Sequence, residues 1–242
     1  MSNKTTKLGI LIPAYNEEKN IKKVISTIPN VPKIQYKVII VDDGSKDNTS
    51  KFAQEQGAEI ISNNRHMGLG PTFKLGLSYV LENKFDIIAI LDADAQYESY
   101  LLKDLIHAII SEECDMVIGN RFINGGHFEI GIIKRLGNFI MSMIISKMIL
   151  RLDTIYDIQS SFRAFNYKLA NFISKKIEAK YNYAQEMFIL ASLYQFRIKQ
   201  IPVICKKRLS GKSKLIKNPI FHAVRVLWIC FKTYLKNFSK SK

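Results

Sequence analysis

Short apolar runs alternate with stretches of helical periodicity through the first half of this chain. Leu8–Ile12, Lys37–Val41, Glu59–Ser62, Ile87–Leu91 and Met116–Gly119 are brief and rich in branched residues, the pattern of strands covered on both faces. Between them, Glu17–Ile28 places Ile21, Val24, Ile25 and Ile28 on one helical face. Asp47–Gln56, with Ser45 or Asp47 as its cap, Pro71–Leu81 and Tyr100–Ile110 read as further helices. A strand–helix repeat of about 25–30 residues predicts an α/β fold with a mainly parallel sheet flanked by crossover helices.

The second half is less regular. Asn124-Gly125-Gly126-His127 reads as a loop, and Ile130–Leu152 as a helix apolar nearly all round, with Lys134, Arg135, Lys147 and Arg151 near its ends. Asn182–Phe196 is a predicted helix, Lys199–Cys205 a strand and Arg208–Pro219 a Gly/Ser/Lys loop. A final helix sets Phe221, Val224, Leu227, Trp228, Phe231 and Leu235 against Arg225, Lys232 and Lys236. The chain therefore divides into a domain over 1–217 and a basic amphipathic helix over 218–242, a candidate for the membrane interface.

Polar residues cluster where predicted strands end. In parallel sheets ligands bind beyond the carboxyl ends of the strands. Pro13-Ala14-Tyr15-Asn16-Glu17-Glu18, Asp42-Asp43-Gly44-Ser45, Asp92-Ala93-Asp94 and Asn120-Arg121 all fall there. Asp92 and Asp94 follow a core strand, where two carboxylates need a counter-charge. A divalent cation shared with a phosphorylated ligand supplies one, and a solvated loop with Asp94 as helix cap is the plainer alternative. Asp42 and Asp43 before Gly44 suit either a ribose or base contact or an ordinary Asp-Gly turn. Tyr15 stacks on a base or packs in the core. Asn64-Arg65 and Gly68-Leu69-Gly70 precede a helix start, which favours anions, but the glycines do not complete a dinucleotide fingerprint.

Composition sharpens this. With 242 residues, 47% hydrophobic and 24% charged, the chain holds one large domain or two small ones. The net charge of +15 is uneven, since Lys206 to Lys242 carries eleven Lys or Arg and no acid. Such a tail points to anionic partners: a phospholipid surface, a phosphorylated substrate or nucleic acid. Nucleic acid is disfavoured, because neither aromatic interleaving nor a helix-turn-helix pattern is present. Cys114, Cys205 and Cys230 fit a reducing compartment, and the four His lack metal-ligand spacing. Neither a signal peptide nor a run of about 20 apolar residues is evident, so a cytoplasmic protein peripheral to the cytoplasmic face of a membrane is expected.

Eight elements in order give a resemblance. They are the Pro13–Glu18 segment, Val41-Asp42-Asp43-Gly44-Ser45, Asn64 with Gly68 and Gly70, Asp92-Ala93-Asp94-Ala95-Gln96, Gly119-Asn120-Arg121, Asp157 through Arg163, Gln185-Glu186, and Arg208-Leu209-Ser210-Gly211-Lys212-Ser213-Lys214. Together they resemble family 2 of the inverting nucleotide-sugar glycosyltransferases, in particular the dolichyl- and polyprenyl-phosphate mannose or glucose synthases. The resemblance implies a single nucleotide-binding glycosyltransferase A-type domain. It places the nucleoside on Pro13, Tyr15, Glu17, Asp42 and Asp43, and the ribose beside Asp92 and Ala93. Asp92, Asp94 and Gln96 become ligands of Mg²⁺ or Mn²⁺, and Arg121, Arg163, Arg208 and Lys214 face the donor and acceptor phosphates. Asp94, Arg121 and Glu186 are the residues expected to carry catalysis. Ser161 stands where the family usually has Gly, and Tyr97-Glu98-Ser99 replaces a Pro-rich turn.

The implied reaction moves a hexosyl group from a GDP-mannose- or UDP-glucose-type donor to a polyprenyl phosphate. A phosphate monoester with a second pKa of about 6 is ionised at neutral pH and needs no general base. A saccharide acceptor in surface polysaccharide or lipopolysaccharide synthesis needs one, and Glu186 is the candidate; a structural role for Glu186 is the other option. A nucleotidyltransferase is the weaker enzymatic alternative, for want of a triphosphate loop near the N-terminus.

Overall fold

A computed structural model of the chain describes residues 5–111, 114–129, 131–178, 180–208 and 219–238, with side chains from Ala223 onward in the last segment. Among these residues a seven-stranded sheet has the order β3-β2-β1-β4-β7-β5-β8. Its strands are β1 (Thr6–Ala14), β2 (Ile34–Asp42), β3 (Glu59–Ser62), β4 (Ile87–Ile90), β5 (Met116–Asn120), β7 (Arg163–Asn166) and β8 (Ile198–Pro202). A separate two-stranded piece pairs β6 (His127–Phe128) with β9 (Ile204–Cys205). The helices are α1 (Ile21–Ser26), α2 (Thr49–Glu55), α3 (Leu69–Glu82), α4 (Leu102–Ile110), α5 (Ile132–Met143), α6 (Tyr167–Ser174), α7 (Tyr183–Leu193) and α8 (Pro219–Phe238).

Alternation along the strands builds two cores. Leu8, Ile10 and Ile12 of β1, Val38 and Ile40 of β2, and Ile87 and Ala89 of β4 face one layer with α1 and α4. Leu11, Ile39, Val41, Ile88 and Ile90 face the other, with α3, α6, α7 and α8. Covering both faces is why these segments read as continuous apolar runs.

Three elements differ from the sequence reading, within a sheet that is mainly parallel as expected but holds β7 antiparallel between β4 and β5. This strand has four residues and opens on an arginine, so it carries little strand signal. α1 starts at Ile21, since Glu17–Asn20 forms a turn held by the Asn20 N–H on the Glu17 carbonyl at 2.9 Å. The expected 130–152 helix is α5 followed by a wider π-helical turn over Ile144–Ile149. The 199–205 strand is broken at Val203, so its two halves serve different sheets. On α8 the apolar line picked out by periodicity lies outward, and a second line packs inward. Val226, Cys230, Thr233 and Asn237 are buried, whereas Val224, Trp228, Phe231 and Leu235 are exposed.

Candidate active site

The parallel register of β1, β2 and β4 brings three strand ends to one rim. Ala14 pairs with Asp42, and β4 delivers its chain directly into Leu91, Asp92 and Asp94. After β2, Asp42 accepts the Ser45 N–H at 3.0 Å and hydroxyl at 2.5 Å, and the Ser50 hydroxyl at 2.6 Å. Asp43 is buried and accepts the backbone N–H groups of Met67 and Gly68 and the Asn63 amide at 2.8–2.9 Å. His66 Nδ1 lies 2.7 Å from it, and the His66 ring stacks on Tyr15 at 4.0 Å. Gly44 makes this turn possible: its φ is +74° and a Cβ there would sit 2.7 Å from the Arg65 backbone. Asp42 and Asp43 are thus largely committed to shaping the loops. Pro13 and Tyr15 remain half-buried at the rim.

Glu17, Asp92, Asp94 and Arg208 form the charged centre. Arg208 donates to Asp94 Oδ2 at 2.8 Å and to Glu17 Oε1 at 3.3 Å, joining the first strand end to the fourth. The other Glu17 oxygen accepts the Asn20 amide at 2.7 Å. Asp92 accepts the Ser161 hydroxyl. Burial, then the charge of Asp94, pushes the Asp92 carboxyl up to about 7. Ala93, buried between the two carboxylates, and Ala95, at φ +57°, turn the chain sharply. The Gln96 amide donates to the Lys206 carbonyl at 2.9 Å, and the Lys206 N–H returns to Gln96 at 2.7 Å. This pairing, with the Tyr97–Cys205 bridge, carries Arg208 across the carboxylates.

Two carboxylates in want of positive charge, with a neighbouring amide, fit a hard divalent cation whose remaining ligands are phosphate oxygens and water. Asp92 and Asp94 would hold it, with Gln96 beside them. No group of three or more His, Cys, Asp or Glu among the described residues forms a complete cage by itself.

Arg121 and Arg163, expected at the phosphates, sit deeper than that. Arg121 is bidentate on Asp157, Nε to Oδ2 at 2.5 Å and a terminal nitrogen to Oδ1 at 2.8 Å, and lies 4.4 Å from the Phe128 ring. Burial opposes its charge, and Asp157 more than restores it. Arg163 is fully buried and donates to the carbonyls of Ser160, Ala184 and Ile158 at 2.5–2.9 Å. Burial draws its pKa down to about 10. A strand position between β4 and β5 leaves its side chain no route to solvent. Both arginines brace the floor of the site from below. Glu186, the candidate base, is buried on α7 and accepts the Glu178 N–H with both oxygens at 3.0 Å. Lys214, with Lys212, lies outside the described residues. Sequence reasoning missed Ser161 as the partner of Asp92, Asp157 as the partner of Arg121, and His66 on Tyr15. Asp157 and Ser161 carried some signal, as members of a motif already singled out.

Comparisons with known proteins bear on the family and the fold. The pattern of glycosyl transferase family 2 matches residues 9–172. An N-acetylglucosaminyltransferase of Methanococcus voltae, named for UDP-N-acetylglucosamine and dolichyl phosphate, is 32% identical over 80% of this chain and 83% of its own. A dolichol-phosphate mannosyltransferase of Pyrococcus furiosus is 28% identical over 92% of this chain and 63% of its own. Among solved structures, glucosyl-3-phosphoglycerate synthase of Mycobacterium tuberculosis, with Mn²⁺, UDP and product, superimposes with a TM-score of 0.71 at 18% identity. The overlap covers 97% of this chain and 80% of that one. It shows a shared fold.

Proposed function

Since this chain belongs to glycosyl transferase family 2 and is a nucleotide-sugar-dependent hexosyltransferase, we propose that its acceptor is a polyprenyl phosphate of the dolichyl or undecaprenyl type. One observation carries this reading over a saccharide acceptor. Glu186, the residue a hydroxyl acceptor would call on as base, is buried with both oxygens on a backbone N–H. An acceptor that arrives ionised needs no such base. The names of two relatives, each of which acts on dolichyl phosphate, support the same choice.

The proposed roles follow from position. Tyr15, Pro13 and Glu17 receive the nucleoside beside the loops built by Asp42 and Asp43. Asp92 and Asp94, with Gln96, hold Mg²⁺ or Mn²⁺, which when bound offsets the negative charge of the departing nucleoside diphosphate. Arg208 stands ready at the same carboxylates to pair with a phosphate oxygen. Arg121 and Arg163 keep the strand ends in place. Among the described residues no helix is long and apolar enough to cross a membrane. A peripheral position on the cytoplasmic face of a membrane suits an encounter with a bilayer acceptor.

The test is transfer by purified protein with Mn²⁺ or Mg²⁺, a panel of GDP- and UDP-sugars, and undecaprenyl or dolichyl phosphate in detergent. The expected result is sugar in the lipid fraction, reduced at least about a hundredfold by Asp94→Ala. Transfer to saccharide alone, abolished by Glu186→Gln, would overturn the assigned acceptor.

A further inference from the structure

α8 has three sides. Val226, Cys230, Thr233 and Asn237 are buried on the body of the protein. Val224, Trp228, Phe231 and Leu235 form an opposite apolar line, 46–64% exposed. On the flank between them, the Arg225 guanidinium lies 4.5 Å from the Tyr181 ring, and Lys236 pairs with Glu178. That flank borders a cavity of about 440 Å³ lined by Arg65, His66, Met67, Pro71, Lys74, Glu178 and Lys180.

The cavity is electropositive and stands apart from the carboxylate rim. His66 is the wall between them, with Nδ1 on Asp43 and its ring on Tyr15. Arg65, Lys74 and Lys180 bring three cations to the lining, and its one acid, Glu178, is already met by Lys236. Arg65 is exposed and has no ion pair among the described residues. The proposed transfer uses none of these side chains. The positive charge comes from side chains, because the Gly68 and Gly70 N–H groups at the start of α3 are taken by Asp43 and the Lys180 carbonyl.

We propose that this cavity binds the headgroup phosphate of an anionic phospholipid while the outer face of α8 lies in the membrane interface. A guanidinium flanked by two ammonium groups suits a phosphate diester. The tryptophan-bearing apolar line beside it suits the level just below the headgroups. A free anion would explain the cavity but not the exposed face. The uneven charge of the chain, +15 overall, supplies the complement to an anionic surface. The proposal is independent of the acceptor's identity.

Trp228 is the only tryptophan, so its emission reports insertion directly. Vesicles of phosphatidylcholine, alone or mixed with phosphatidylglycerol and free of polyprenyl phosphate, are titrated against the full chain. The expected result is a blue shift with the mixed vesicles, and binding weakened about tenfold or more in Arg65→Ala/Lys74→Ala. A charge-matched control, Lys51→Ala/Lys103→Ala on the exposed surfaces of α2 and α4, should lose clearly less. Trp228→Ser, followed by cosedimentation, should also weaken binding. Equal losses in the two double variants would overturn the cavity, leaving general charge attraction. Equal binding to neutral vesicles, competition by millimolar inorganic phosphate without vesicle binding, or self-association through Trp228 in place of vesicle binding would each overturn the lipid assignment. Failure here would leave the transfer reaction untouched, since detergent assays do not require the surface.

Discussion

At the scale of the residue, charge is settled locally before any substrate arrives. Arg208 touches Asp94 and Glu17 at once, so it holds the place of a cation at the carboxylate pair. A divalent ion held as proposed by Asp92 and Asp94 would compete with it, and the guanidinium would then be free to pair with a phosphate oxygen. Arg208→Gln is therefore expected to bind Mn²⁺ about tenfold more tightly than the parent when no nucleotide is present, as read by spin-resonance titration. The same variant should bind nucleoside diphosphate with Mn²⁺ more weakly. Unchanged affinity for the bare ion would show that the contact does not compete. Glu186 gives the complementary case. Glu186→Gln leaves one oxygen to accept the Glu178 N–H, so transfer to a phosphate acceptor should stay within about threefold. Thermal stability should fall by about 1–2 kcal/mol, because a buried charge-assisted bond becomes a neutral one. A loss of turnover of a thousandfold with unchanged stability would make it a base after all.

At the scale of the element, the antiparallel strand β7 is the piece on which the site depends. It carries Arg163, begins two residues after Ser161, and sits between the strand of the Asp92 motif and the strand of Arg121. Asp115 locks its far end. The carboxylate accepts the Asn166 amide at 3.0 Å and the Arg197 N–H at 2.9 Å, and its backbone accepts the Asn166 N–H at 3.1 Å. Burial raises the Asp115 pKa, but the Arg197 and Asn166 donors and the Arg197 charge outweigh it, and the net shift is down. A depressed carboxylate contributes stability above its unfolded pKa and loses it as pH falls through the folded value. Asp115→Asn should thus cost about 1–2 kcal/mol at neutral pH, and the gap to the parent should close below about pH 4. Denaturant midpoints across pH measure it, and a gap independent of pH would mean that packing alone is lost. The strands β1, β2, β4 and β5 were legible because their central residues are buried on both faces and so read as apolar runs. The strand β7 was not, because its pairing with the distant β4 and β5 on either side is what makes it a strand. The same holds for side chains. The motif carboxylates could be found from strand ends, whereas the burial of Arg121 and Arg163 depended on Asp157 and on three carbonyls that no spacing rule names.

At the scale of the whole molecule, α8 belongs to the fold as much as to any surface it meets. α7 is buried along its full run from Tyr183 to Ala191, which is why it shows little one-sided pattern. Part of its cover comes from α8, whose Val226 and Cys230 join the same core as Met187 and Leu190. The division at residue 218 suggested by charge and periodicity is therefore a division of composition, and the packing runs across it. Ending the chain before Pro219 removes that cover and exposes apolar surface on α7. Burying a handful of such side chains is worth several kcal/mol, and each kcal/mol moves the melting midpoint of a domain this size by about 2–4 °C. The truncated chain is expected to melt about 10 °C lower, or to aggregate, in a calorimetric or circular-dichroism scan. A shortened protein that melts within about 2 °C of the parent would instead make α8 an appendage, free to serve the bilayer alone. Trp228→Ser separates the two duties, because its side chain faces away from the core. It should leave the midpoint in place while weakening vesicle binding, so one helix bears stability on its inner line and surface attachment on its outer one.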